Sequence, residues 1–155
     1  MTRRSTNAGV LELDPGFALA LWIEAFVLSH LGRHDQAIEA AERAVMLTRR
    51  QSHFLGGAAR AYAAAGRRKD AEAIVNELGE RSRQEYVSPL YFADVATALG
   101  EIDQAFEWLD RAYEDHSPLL RATGVHPPYD PLRGDPRFER LLKKVGLEGV
   151  SPASR

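Results

Sequence analysis

Apolar residues fall into consecutive runs whose spacing is helical. The first run covers Phe17, Leu19, Leu21, Trp22, Ile23, Phe26, Val27, Leu28 and Leu31. It is apolar on nearly every side, which predicts a helix mostly buried in a core. The second carries Ala37, Ile38, Ala41, Ala44, Val45 and Met46 as one stripe, with Glu39, Glu42 and Arg43 outside it. The third runs from His53 to Ala65 and contains the adjacent pair Gly56 and Gly57. Glycine inside a helix costs roughly 0.5–1 kcal/mol relative to alanine. Close approach of a neighbouring helix is the expected compensation. Further stripes follow at Ala71, Ile74, Val75 and Leu78, then at Leu90, Tyr91, Phe92, Val95, Ala96 and Leu99. The next is Ile102, Ala105, Phe106, Trp108, Leu109, Ala112 and Tyr113.

The breaks between runs are regular. Gly32, Gly66 and Gly100 stand at a constant spacing of 34 residues, and alanine follows each by five, at Ala37, Ala71 and Ala105. Glycine ends a helix cheaply because it tolerates the left-handed conformation. Asp35 is the expected N-cap of the helix that follows Gly32, Asp70 or the preceding turn starts the helix that follows Gly66, and Ser88 caps the helix opened by Pro89. A fixed period in this range marks stacked helix–turn–helix units.

Beyond Tyr113 the period stops. Ser117-Pro118 predicts a short helix ended by Gly124. The stretch Val125-His126-Pro127-Pro128-Tyr129-Asp130-Pro131 cannot be regular helix. Asp135 as N-cap, Pro136 as first residue and Gly146 as stop predict a last helix, with Phe138, Leu141, Leu142 and Val145 on its apolar side. The organisation expected is a flexible segment at 1–13 and one domain at 14–148. Within the domain, repeats fall at about 18–51, 52–85 and 86–118, with a capping segment at 119–148. A disordered tail at 149–155 completes the chain.

These residues resemble the tetratricopeptide repeat (TPR) family. The family's small-residue positions fall on Ala25, Ala59 and Ala93, on Ala37, Ala71 and Ala105, and on Ala44, Leu78 and Ala112, with Leu78 the departure. Its aromatic position is kept at Tyr62 but is Leu28 and Ala96 elsewhere, and a usually apolar position is Glu24. The segment Leu11-Glu12-Leu13-Asp14-Pro15 matches the family's repeat ending, which reads as the remnant of a preceding repeat. The ending Asp130-Pro131-Leu132-Arg133-Gly134-Asp135-Pro136-Arg137-Phe138, then Leu141-Leu142 and Gly146-Leu147, is similar to that of C-terminal TPR arrays in bacterial signalling proteins. Those are class III cyclases, winged-helix regulators and Ser/Thr kinases. The resemblance implies an all-α solenoid of three repeats plus a C-terminal capping helix.

Composition narrows the function. Net charge is −2, with a pI near 6.2, so no global field favours nucleic acid or an anionic membrane. The absence of cysteine removes thiol chemistry and the common zinc frameworks. No apolar run approaches the ~18 residues of a membrane span, and none follows the N-terminus at signal-peptide length. The expected location is cytoplasmic. His30 and His34 are separated by Gly32, so they do not share one helix face as a metal pair requires. Acidic residues at Asp110, Glu114 and Asp115 read as a solvated face. No phosphate loop or nucleophile elbow occurs, so neither cofactor, metal nor catalysis is expected.

By the resemblance, the concave face of the array includes Leu19, Trp22, Phe26, His30, His53, Arg60, Leu90 and Asp94. The carboxylate-clamp positions of one TPR subclass fall on Trp22, Phe26, Gly57, Val87 and Tyr91, none of which can pair with a carboxylate. Trp22 and Phe26, four apart, can anchor a peptide or a partner helix. They can equally pack on the chain's own C-terminal segment or on another protomer. The reading is a non-catalytic protein-interaction scaffold. The alternatives are a regulatory fragment of a larger signalling enzyme or transcription regulator, and a small-molecule groove. The first helix is too apolar to stay wet, which predicts cover by a second copy as a homodimer, by an upstream or partner domain, or by residues 1–13.

Overall fold

Gly32, Gly66 and Gly100 adopt φ of +79°, +80° and +80°. After each glycine the next amide reaches back five residues: Arg33 N–H to Leu28 O at 2.8 Å, Arg67 to Tyr62 at 2.9 Å, and Glu101 to Ala96 at 2.8 Å. The glycine amides bond three residues back, to Ser29, Ala63 and Thr97. This is a Schellman turn built three times, and it satisfies carbonyls that a helix end leaves without partners. The sequence spacing of 34 residues is therefore a spacing of identical backbone turns.

The computed structural model describes residues 15–115 and 127–146. The expected N-terminal segment with its repeat remnant, the Ser117–Gly124 helix and the C-terminal tail lie outside the described residues. The chain divides into two compact units between Val87 and Ser88. The first holds α1 (Pro15–His30), α2 (His34–Leu47), α3 (Ser52–Ala64) and α4 (Arg68–Arg81). The second holds α5 (Pro89–Ala98), α6 (Ile102–Glu114), a 3-10 helix (Pro127–Leu132) and α7 (Pro136–Lys144). The fold is all-α among the described residues.

In the first unit α1 pairs with α2 and α3 pairs with α4, and α3 packs on both helices of the first pair. In the second unit α5 pairs with α6. The nine small-residue positions set how close each pair comes. Ala25, Ala37, Ala44, Ala59, Ala71, Ala93, Ala105 and Ala112, with Leu78, are each at most 3 % exposed. An alanine at a contact leaves room for the partner backbone, and close packing transmits any change in volume.

The expected start at Asp35 changes, and of the two starts expected near Asp70 the preceding turn is the one found. Asp35 and Asp70 are not N-caps: α2 begins at His34 after Arg33, and α4 at Arg68 after Arg67, with no side-chain cap at either. The Schellman turn is the reason. It leaves the residue after glycine poised to start the next helix, so Ala37 N–H already bonds Arg33 O and Ala71 N–H bonds Arg67 O. Asp35 and Asp70 sit instead in the first turn, where a carboxylate complements the helix dipole. At α5 and α7 side-chain capping holds. Ser88 accepts from Leu90 N–H at 3.2 Å and Asp135 from Arg137 N–H at 2.9 Å.

The passage from α2 to α3 uses no glycine. Arg49 and Arg50 both take positive φ, 55° and 62°, a conformation that costs an L-residue roughly 1–2 kcal/mol. Side chains from α4 hold the turn in place. Arg81 donates to Arg50 O at 2.6 Å and to Glu77 at 2.9 Å, and the Arg50 guanidinium also donates to Glu77. The Arg50 hydrogen bond, supported by the charges of Arg50 and Arg81, holds the Glu77 carboxyl below its ordinary range against some desolvation.

The second unit closes over α6. Phe106, Leu109 and Ala112 of α6 share a core with Tyr129 and Leu132 of the 3-10 helix and Phe138, Leu141 and Leu142 of α7. Each large apolar side chain fully buried there contributes roughly 1.5–3 kcal/mol. Arg137 bonds Asp103 of α6 at 2.8 Å and lies over the Phe106 ring.

Replacing Ala71 or Ala105 with leucine should overpack its helix pair and lower stability in urea melts by ~1–3 kcal/mol. Ala73→Leu, on the exposed side of α4, should stay within about 0.5 kcal/mol of the wild type. Because the folded pKa of Glu77 lies below its unfolded value near 4.5, its contribution is complete above that pH. The contribution is lost as pH falls through the folded value. Glu77→Gln should therefore melt earlier than wild type at pH 7, and the gap should close in acid.

Candidate interaction site

The first unit brings four expected site residues together. Trp22 and Phe26 lie one turn apart on α1, and His53 and Arg60 lie on α3. The Trp22 and His53 rings are 4.8 Å apart, and the Arg60 guanidinium carbon sits 5.1 Å from the Trp22 ring centre and 4.8 Å from that of Phe26. Arg60 is only 7 % exposed, while the three rings are half-buried. A guanidinium held against aromatic faces and largely desolvated is attracted by up to about 2 kcal/mol per face. Arg60 thus fixes the two α1 rings, and the rings carry the accessible surface.

Gly57 completes the cluster, and the sequence pointed to it only as a place of close approach. A Cβ at Gly57 would lie 2.3 Å from Trp22 Nε1 and 2.5 Å from its Cδ1. The indole occupies the space a side chain would take. Trp22 Nε1 is buried there without a hydrogen-bond partner.

The other expected residues lie elsewhere. Leu19 belongs to the outer side of α1, in line with Ile23 and Val27, and is exposed. His30 ends α1 and is exposed. In the second unit Leu90 is a core residue, 6 % exposed. Asp94 accepts a hydrogen bond from the hydroxyl of Tyr129, which is itself 1 % exposed. At the position that Phe26 and Arg60 hold in the first unit, the second unit is therefore occupied from within, by its own 3-10 segment.

Tyr62 faces away from this cluster. Its hydroxyl donates to Glu42, and its pKa is pushed up to about 12, first by burial and then by that carboxylate. Nothing in the cluster pairs a nucleophile with a base. Among the described residues, no three or more His, Cys, Asp or Glu side chains converge as a metal would require. No helix among them is long and apolar enough to cross a membrane.

Residues 28–91 match the family model for the tetratricopeptide repeat. Over this segment the chain resembles the tetratricopeptide repeat family. It runs from the last turn of α1, through α2, α3 and α4, into α5, and so contains His53, Gly57 and Arg60. Comparison with curated proteins and with solved structures finds no match. TPR segments generally mediate contacts between proteins, and the aromatic cluster sits where α1 meets α3.

Two glycine substitutions should have opposite signs. Gly79→Ala, in α4 with open space around it, should gain roughly 0.5–1 kcal/mol from helix propensity. Gly57→Ala should instead displace Trp22, cost ~1–3 kcal/mol net, and shift indole fluorescence in a Trp108→Phe background.

Proposed function

We propose that the chain is a non-catalytic scaffold that binds a peptide or partner helix on the face formed by Trp22, Phe26 and His53. One observation supports this most directly: the three rings are half-buried, while the cation that orients them is almost wholly buried. Rings pinned before binding lose little freedom on binding, and preorganisation of this kind raises affinity. Tryptophan and other aromatic residues with one covered and one open face are the usual energetic centres of interfaces. The partner chemistry that fits is an apolar or aromatic anchor rather than a charged group, because Arg60 offers little surface to a ligand. The absence of clamp residues at Trp22, Phe26, Gly57, Val87 and Tyr91 agrees with that preference.

Selection from a displayed peptide library against the whole chain tests this reading. The selected peptides should change Trp22 fluorescence in a Trp108→Phe background. They should lose at least about thirtyfold in affinity on Trp22→Ala and be unaffected by Met46→Ala, a change at a residue 75 % exposed on α2. Peptides that bind with equal affinity to the Trp22→Ala and Phe26→Ala variants would show that the face is packing rather than a binding surface.

A further inference from the structure

Three groups of its own chain hold Trp22. Its Nε1 edge is buried over Gly57, where a Cβ would lie 2.3 Å away. The Arg60 guanidinium carbon lies 5.1 Å from its ring centre and 4.8 Å from that of Phe26. The His53 ring stands beside it at 4.8 Å, tilted by 33°, so it does not lie flat on the indole. With its N–H edge turned inward, Trp22 has no hydrogen bond to give a partner. What it offers is ring surface, and Phe26 offers the same.

The second unit contains such an indole with its stack complete. Trp108 on α6 has the Arg111 guanidinium carbon 5.0 Å from its ring centre. The Phe92 ring of α5 lies nearly parallel to it, with centres 4.3 Å apart and planes 18° apart. Phe92 is only 7 % exposed. An arginine over an indole thus goes together with a flat aromatic ring against it. Trp22 has its arginine at almost the same distance and is half-buried. Among the described residues, no ring lies parallel to it.

The cation decides which anchor completes the first stack. Aromatic faces are electron-rich, which is what draws a guanidinium to them. Trp22 and Phe26 each already hold one in this way. A second cation on the open side would meet Arg60 across a single ring, roughly 8–10 Å away and partly desolvated. An aliphatic anchor gains burial alone. A neutral, electron-rich ring gains burial and stacking, because a face polarised toward Arg60 repels a second π-cloud less.

We propose that the partner's anchor on this face is a tyrosine or tryptophan side chain lying flat on Trp22, and that Arg60 is the positioning residue that excludes lysine and arginine. This partner class rests on the reading of the face as a binding surface.

Selection of displayed peptides on the full chain tests it. The pools are identical except at one central position, fixed as tyrosine, tryptophan, leucine or arginine, with flanking positions small, uncharged and non-aromatic. The tyrosine and tryptophan pools should be enriched at least about tenfold over the leucine and arginine pools. Their binders should change Trp22 emission in a Trp108→Phe background and be lost on Trp22→Ala. Arg60→Met keeps an unbranched apolar stem and removes the charge. It should raise the arginine pool relative to the tyrosine pool by about fivefold or more, while Arg60→Lys should keep the wild-type preference. Arg60→Gln takes its place where Arg60→Met loses its circular dichroism melt. Leucine or arginine pools enriched as well as the aromatic ones, through binders that still need Trp22, would overturn the anchor and leave the binding face standing. Binders that do not need Trp22 in any pool would overturn both. An arginine pool rejected equally by the wild type and by a folded, uncharged Arg60 variant would overturn the role of Arg60.

Discussion

The close approach of two helices at alanine contacts is the constraint on which each repeat depends. Alanines almost wholly buried in paired helices leave little free space, so the pair tolerates little change in volume. The Schellman turn at each glycine delivers the second helix at the angle this contact needs, because its hydrogen bonds determine where the chain leaves the first helix. Glycine and alanine, 5 residues apart in all three repeats, are two parts of one geometric requirement. Leu78 is buried to 1 % where the other repeats have alanine; nothing in the structure explains why that pair takes a larger residue.

This requirement made the architecture legible from sequence. Turn glycines and small contact residues are fixed by backbone geometry, and backbone geometry repeats. The caps were legible only where a side chain does the capping, at Ser88 and Asp135. At Asp35 the preceding turn had already started the helix, which the capping preference of aspartate does not register, whereas at Asp70 that turn was one of the two starts expected. The positive-φ pair Arg49 and Arg50 was not legible at all. It persists through Glu77 and Arg81, 27 and 31 residues beyond Arg50, and such a tertiary hold leaves no mark in the local sequence.

The site was half legible for a related reason. Repeat position correctly put Trp22, Phe26, His53 and Arg60 on one side of the first unit. It could not show that Arg60 is spent on orienting the rings, because burial of a long charged side chain depends on what covers it. Nor could it show that Asp94, equivalent to Arg60 by the 34-residue spacing, is taken by Tyr129. The same repeat position is thus a ring support in one unit and a docking point for the chain's own segment in the other. Equivalence in sequence carries backbone placement from repeat to repeat, while chemistry is reassigned at each.

The helices at the two ends of the described fold differ in the same way. Among the described residues, α7 buries Phe138, Leu141 and Leu142 and turns Glu139, Arg140, Lys143 and Lys144 to solvent. Charged side chains of this kind offer a further helix little apolar surface to pack on. On α1 the arrangement is reversed. Its inner side is filled by alanines and Leu21, and its outer side presents Leu19, Ile23, Val27 and Leu31. Nothing local to α1 requires these residues, because a helix stabilised by its inner contacts would fold as well with lysines and glutamates outside.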